Sequence, residues 1–220
     1  MVVELHAMPA SSPCRLVHMA LEVMDVPYEY KTMNLMVGDH MTPEYLKLNP
    51  THKVPIIKDG DFVLGESRAI VTYLASVYDK TGTLYPQDPK VRAVVDQRLY
   101  FDAGTMYTSF RECFYPKMFL GQDIPDSAFT KAREVLSWAQ DMVKATGYAA
   151  GTTHMTLADL AFVATYSTAE ATGAFDFSGF PVWDEYFAKM KKEIKNYDKG
   201  NGDNAKVFGN FYRSRVATKA

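Results

Sequence analysis

Ser11, Ser12, Pro13 and Cys14 stand where a short apolar run gives way to a helical pattern. The spacing from Ser11 to Cys14 is that of a Cys-x-x-Cys redox motif, with a hydroxyl in place of the first thiol. A strand-to-helix turn offers free backbone N–H groups and the positive end of the helix dipole, and both favour an anion. Serine is a poor nucleophile without a neighbouring base, and no Gly-x-Ser-x-Gly elbow surrounds this one. Its hydroxyl can instead donate a hydrogen bond to an anion that arrives with a ligand, and a thiolate is such an anion. The plainer alternative is that Ser11 or Ser12 only caps the helix.

Two further stretches could recognise a ligand. In Asn49–Pro55, NPTHKVP, a proline stands directly before Ile56 and Ile57. A cis bond between Val54 and Pro55 would turn the Val54 backbone outward, toward a peptide-like ligand. An edge strand that merely starts with proline is the alternative. In Gly65-Glu66-Ser67-Arg68, a carboxylate and a hydroxyl fall at a helix start. Glu66 can hold an ammonium group, and Ser67 with the helix-terminal N–H groups can hold a carboxylate, which suits an amino-acid head. A plain helix start with an acidic first turn reads the same way. His40, His52 and Lys53 supply positive groups nearby for a second carboxylate. Metal spacings are absent: there is no HEXXH and no paired CxxC, nor any Walker loop or GxGxxG.

These groups need a scaffold, and the chain has 220 residues, 47% hydrophobic, from which to build one. Its net charge of -2 excludes an overall basic field for nucleic acid or anionic membrane. Two cysteines, Cys14 and Cys113, cannot form a disulfide framework and fit a reducing, cytoplasmic setting. The N-terminus shows no signal peptide, and no stretch is long and apolar enough to span a membrane. Strands are expected at about 2–5 and 28–35, with a helix over 14–24 between them. A short helix starts at Thr42-Pro43, and a hairpin turns at Lys58-Asp59-Gly60-Asp61 between VPII and FVL. A helix over 67–78 closes this part. After the Gly- and Pro-bearing run DKTGTLYPQDP, strand signals vanish. Val91, Val95, Leu99, Ala103, Met106 and Phe110 mark one long amphipathic helix. More helices are expected at about 127–146, 157–172 and 182–196, and a loose polar excursion over 199–204. The fold class is α/β plus all-α: a βαβ-α-ββα domain over 1–79, a linker over 80–90 and a helical-bundle domain over 91–220.

Taken in order, these stretches coincide with one family. The sequence resembles the cytosolic glutathione transferases, most closely the serine-type delta and epsilon classes of arthropods. The resemblance is carried by PASSPCR, NLMVGDHMTPEYLKLNPTHKVPIIKDG, GESRAIVTYL, LYP, QRLYFDAGTMY and TLADL, and it covers nearly the whole chain. It implies a thioredoxin-like N-terminal domain that binds glutathione as cosubstrate, with no resident cofactor and no metal. Ser11 then takes the reactive-cysteine position and faces the thiol of glutathione. Val54, beside a cis Pro55, pairs with the cysteinyl unit. Glu66, Ser67 and Arg68 hold the γ-glutamyl head, and His52, Lys53 and His40 attend the glycyl carboxylate. Thr156 and Asp159 match a capping box of the helical domain.

The resemblance also implies a function: conjugation of the glutathione thiolate to hydrophobic electrophiles. The acceptor pocket is expected between the domains, at Tyr107, Tyr115 and Phe119, with Phe208 and Phe211 from the C-terminal tail. Three positions depart from the family pattern: Ala10 stands for a glycine, and His6 and Ala7 stand where tyrosines often lie. A homodimer is implied, with Arg68 and Asp102 near its seam. Two rivals remain at this point. One is a thioltransferase using Cys14, although the second motif position normally faces inward. The other is a crystallin-like or ligand-carrying relative without turnover.

Overall fold

Apolar residues alternate through Val3, Leu5 and Ala7, and in the computed structural model all three are buried on one face of strand β1 (Val3–Ala7). The structure describes residues 2–217; Met1 and residues 218–220, the outer ends of the two expected domains, lie outside the described residues. Strand β2 (Tyr28–Thr32) runs parallel to β1, and helix α1 (Ser12–Val23) makes the crossover between them. Helix α2 (Pro43–Leu48) opens at Thr42, whose side chain accepts from the Tyr45 N–H. Strands β3 (Ile56–Asp59) and β4 (Phe62–Gly65) form the expected hairpin, with Gly60 at φ 61° in the turn. The sheet order is β2-β1-β3-β4, with β3 antiparallel to both neighbours. Helix α3 (Ser67–Tyr78) packs against α1 on the sheet. This is the thioredoxin-like arrangement the sequence implied, followed by helices alone.

The helical region comprises α4 (Pro89–Phe101), α5 (Tyr107–Glu112), α6 (Asp126–Lys144), α7 (Leu157–Thr172), α8 (Pro181–Glu193) and α9 (Asp203–Ala217). Helix α7 is its core: fourteen of its residues, from Leu157 to Thr172, are buried. It starts at the expected capping box, where the Asp159 carboxylate accepts from the Thr156 N–H at 2.8 Å. Asp159 also accepts from the Ala149 N–H and the Tyr186 hydroxyl, so the box ties α7 to α8 and to the preceding loop.

Two expectations are corrected. The long helix from Val91 to Phe110 is not uniform: a π-helical turn, Asp102–Met106, separates α4 from α5. The wider turn leaves both Asp102 and Met106 fully buried, and the Asp102 carboxylate meets Arg68 there. The polar stretch around Lys199 is not a loose excursion. Gly200, Asn201 and Gly202 are buried in a further π-helical turn, Asp198–Gly202. A Cβ on Gly200 would stand 3.1 Å from Met19 Cγ, so its glycine reflects close approach to α1.

Candidate active site

Ser11 is the N-cap residue of α1, in extended backbone at φ -76° and ψ 124°, and its side chain makes no capping bond. Its N–H donates to the Met8 carbonyl at 3.0 Å, and its carbonyl accepts the Arg15 N–H at 2.9 Å. The loop is thus fixed while the hydroxyl remains at the helix mouth, where Ser11 lines a cavity of about 540 Å3. That volume lies within the range of about 300–1,000 Å3 usual for small-molecule sites. Ser12 lines the cavity too, but it is buried, and its Oγ has no partner among the described residues.

Arg15, one turn into α1, is fully buried and holds this loop from behind. Its guanidinium donates to the Ala10 carbonyl (3.0 Å), the Ala164 carbonyl (3.0 Å), the Asn201 side-chain oxygen (2.9 Å) and the Thr168 hydroxyl. Burial pulls its pKa down to about 10. One residue earlier, Cys14 is buried, and burial pushes its thiol up to about 11 against the opposing Ser11 hydroxyl and Met8 backbone. A neutral, enclosed thiol makes a poor nucleophile.

The cavity collects the expected ligand-holding groups on its sheet side. Val54-Pro55 is a cis peptide, as the ligand-pairing reading of that stretch required. The sheet ladder begins at Ile56, paired to His6 and to Gly65, so Val54 lies beyond it against the cavity. Asn49 shapes the loop before it: its side chain donates to the Lys53 carbonyl (2.8 Å) and accepts from the Thr51 hydroxyl (2.8 Å). The Tyr45 hydroxyl donates to the same Lys53 carbonyl at 2.6 Å. His40, His52 and Lys53 all line the cavity, with the two imidazole rings 6.3 Å apart.

Glu66, Ser67 and Arg68 line it from the start of α3. Glu66 sits at φ 64°, a conformation that costs a non-glycine residue roughly 1–3 kcal/mol. His52 is likewise at φ 47°. Two strained backbone positions thus fall within one cavity, the usual correlate of a functional site. Arg68 donates to the Ser67 hydroxyl at 3.0 Å and to the buried Asp102 carboxylate, and its guanidinium lies 5.8 Å from the Tyr107 ring centre. Burial pushes the Asp102 carboxyl up, and Arg68 opposes that. The two residues expected near a subunit seam therefore pair within the chain, tying α3 to the π-helical turn.

Across the cavity stand Tyr107, Tyr115 and Phe208, as expected. Phe119 does not line it: 43% exposed, it packs its ring 5.0 Å from that of Tyr115. Phe211 does not line it either and packs half-buried against the hydrophobic core. His6, on the opposite face of β1 from Val3, Leu5 and Ala7, pairs with Glu4 and lies outside the cavity. Several lining residues escaped the sequence reading: Met8, Leu35, Asn49, Thr51, Ala103, Thr108, Arg111, Phe114 and Thr168. Arg111 and Phe114 follow Tyr107 at helical spacing, and that signal could have found them. Thr168 comes from α7, a neighbour that only tertiary packing supplies.

Fold and site together define a thioredoxin-like sheet domain whose cavity is closed by an all-helical region. The comparisons agree. The sequence profile described as the glutathione S-transferase N-terminal domain matches residues 5–82. A glutathione S-transferase of Anopheles gambiae is 36% identical over 214 residues, which is 96% of this chain and 97% of that protein. A solved delta-class glutathione transferase of Nilaparvata lugens superposes with a TM-score of 0.94 at 42% identity, over 97% of this chain and 99% of that one. An epsilon-class glutathione S-transferase of the housefly, Musca domestica, gives a TM-score of 0.90 at 33% identity, over 97% and 98% of the two chains. The chain belongs to the glutathione transferase family and is similar to its delta- and epsilon-class insect members. It is a transferase for which glutathione is a substrate and not a resident cofactor. Among the described residues no cluster could hold a metal ion, and no helix is long and apolar enough to cross a membrane.

Proposed function

We propose that glutathione lies along the sheet side of the cavity with its sulfur at Ser11, and that this thiolate attacks a hydrophobic electrophile held against Tyr107, Tyr115 and Phe208. The γ-glutamyl head meets Glu66, Ser67 and Arg68; the cysteinyl backbone pairs with Val54 beside Pro55; the glycyl carboxylate faces His52, Lys53 and His40. One observation carries this reading: an N-cap hydroxyl that lines the cavity and makes no capping bond.

The energetics suffice. A free thiol has a pKa near roughly 8.5, and lowering it by about two units requires about 2.7 kcal/mol of preference for the anion. A hydrogen bond to a charged group contributes about 1.5–3 kcal/mol. The helix N-terminus adds roughly 0.3–1 kcal/mol. No proton-abstracting base is needed. Serine suits a borrowed thiolate because, unlike a cysteine thiol, its hydroxyl cannot be oxidised together with glutathione to a mixed disulfide. The buried Cys14 thiol, held up at about 11, disfavours a thioltransferase. The decisive variant is Ser11→Ala, with Ser12→Ala as its partner. Ser11→Ala is expected to raise the pKa of bound glutathione toward its free value and to slow conjugation of a chlorinated nitroarene, while Ser12→Ala changes both far less. Wild-type values of both quantities in Ser11→Ala would overturn the assignment.

The same reading divides the chain into a glutathione-binding domain over 1–79, a linker over 80–90 and an acceptor-side helical domain over 91–220. It also assigns the protein to the cytoplasm, in keeping with two free, buried cysteines. A homodimer is part of it: Tyr100 on α4 is 79% exposed, Val77 on α3 is 54% exposed, and Phe62 on β4 is 46% exposed with its ring 4.9 Å from that of Tyr73. Large apolar side chains so exposed are natural material for a subunit interface. A single-chain mass in solution at all concentrations would contradict it.

A further inference from the structure

The charged residues and histidines lining the cavity are divided unevenly. His40, His52, Lys53, Glu66 and Arg68 stand on the sheet side, within the glutathione contacts proposed above. Among the described residues the helical side contributes one charged group, Arg111 on α5. Its neighbours on that wall are aromatic or small: Tyr107, Phe114, Tyr115 and Phe208. Arg111 is exposed, and its guanidinium carbon lies 4.5 Å from the centre of the Tyr115 ring. It has no carboxylate partner among the described residues, unlike Arg68, which is paired to Asp102.

That arrangement suits Arg111 to receive an anion. A guanidinium resting on a ring is oriented by it and keeps its edge N–H groups free for a planar, two-pronged carboxylate contact. The ring also reduces the side-chain freedom that an exposed arginine would otherwise lose on binding. An acceptor filling this wall would set an aromatic or other apolar body against Tyr107 and Phe208 and carry its charge outward to Arg111.

Resting on the function proposed above, we infer that Arg111 makes the acceptor subsite selective for electrophiles with an apolar body and an anionic substituent, a carboxylate above all, remote from the reacting carbon. For a chloronitrobenzoate the chemistry is otherwise ordinary. The glutathione sulfur forms a bond to the ring carbon that bears chlorine, that carbon–chlorine bond breaks, and chloride leaves with its electron pair. The carboxylate takes no part in the bond changes and only anchors the ring.

The experiment compares chloronitrobenzoate with neutral chlorodinitrobenzene as acceptors for the full-length protein and for Arg111→Met, Arg111→Lys and Lys206→Met. Lys206 lies on α9 outside the cavity and controls for general loss of positive charge. The readout is the ratio of kcat/KM for the anionic acceptor to that for the neutral one. Arg111→Met should lower this ratio about tenfold. Arg111→Lys should retain most of it, and Lys206→Met should leave it as in the wild type. Added salt should raise the wild-type KM for chloronitrobenzoate more than that for chlorodinitrobenzene. An unchanged ratio in Arg111→Met overturns the inference. So does a raised KM for glutathione with the acceptor ratio intact, which would assign Arg111 to the glutathione side. If the wild type conjugates neither acceptor and binds no glutathione, the function proposed above fails first and carries this inference down with it.

Discussion

The Arg15 guanidinium donates through Nε to the Asn201 side-chain oxygen at 2.9 Å, joining two fully buried residues 186 positions apart in sequence. The same side chain holds the Ala10 carbonyl at 3.0 Å, one residue before Ser11. The loop that carries Ser11 is therefore braced from the far end of the helical region. Arg15 has no buried carboxylate partner in this contact set; backbone carbonyls, an amide oxygen and a hydroxyl solvate it. Replacing it by methionine leaves those acceptors unpaired, at an expected cost of about 3 kcal/mol or more. For a chain of this length the expected drop in Tm is roughly 6–12 °C. Arg15→Lys should recover little, because a single ammonium cannot span acceptors on three elements. Thermal denaturation measures both, and a Tm within about two degrees of wild type would show the brace to be dispensable.

Much of this is legible in the sequence alone, and the legible parts are local. The first strand, expected at about 2–5 and found at Val3–Ala7, the Asp59-Gly60 turn and the Thr156–Asp159 box each depend on residues a few positions apart. What the sequence concealed depends on distant partners. The spacing from Val91 to Phe110 fits an ordinary helix, and nothing within it announces the wider turn where Asp102 meets an arginine of α3. Gly200, Asn201 and Gly202 look like solvent-exposed loop, yet Met19 crowds Gly200, Asp198 and Tyr197 crowd Gly202, and Arg15 and Ser167 satisfy the Asn201 amide. Of the five aromatics expected at the acceptor site, Tyr107, Tyr115 and Phe208 line the cavity while Phe119 and Phe211 do not. Helical spacing alone cannot separate a pocket wall from the layer behind it.

Gly209 offers a test of the packing between α7 and α9. A Cβ there would lie 2.1 Å from the Ala171 carbonyl oxygen and 2.8 Å from its carbon. Both obstacles are backbone, so neither can rotate away. Gly209→Ala should cost about 2 kcal/mol, within the usual range for forced overpacking, and lower Tm by roughly 4–8 °C. Gly200→Ala should cost less, because its nearest obstacle is the Met19 side chain at 3.1 Å, although backbone follows at 3.2 Å. Equal or reversed losses, read from paired melting curves, would contradict this account of the two glycines.

His18 makes the stability of the fold depend on acidity. It is buried on α1 between Tyr28 and Tyr30, and its Nε2 lies 2.6 Å from the Tyr28 hydroxyl. That hydroxyl gives its one proton to Glu22, so Nε2 is the donor and Nδ1 is left unprotonated, buried and without a partner among the described residues. Lys199 faces the same cluster and pairs with Glu22, as does Asn196. Burial, reinforced by Lys199 and opposed by Glu22, pulls the His18 pKa from 6.5 down to about 4. For Glu22, burial pushes the carboxyl up, but Lys199, Tyr28 and Asn196 outweigh it and hold the group below its ordinary range. Both shifts act in one direction. Between pH 6.5 and about 4 the unfolded chain binds a proton at His18 that the native state refuses, so stability is full above that window and falls as pH drops through it. Loss at Glu22 follows at lower pH still. The His18 share should be on the order of 3 kcal/mol. Urea unfolding midpoints measured across this window should slope for the wild type and flatten in His18→Gln, with no difference in slope above pH 7. Parallel slopes for the two proteins would mean that His18 remains free to protonate in the folded state, and the buried cluster between α1 and the α8–α9 connection would then have no part in acid sensitivity.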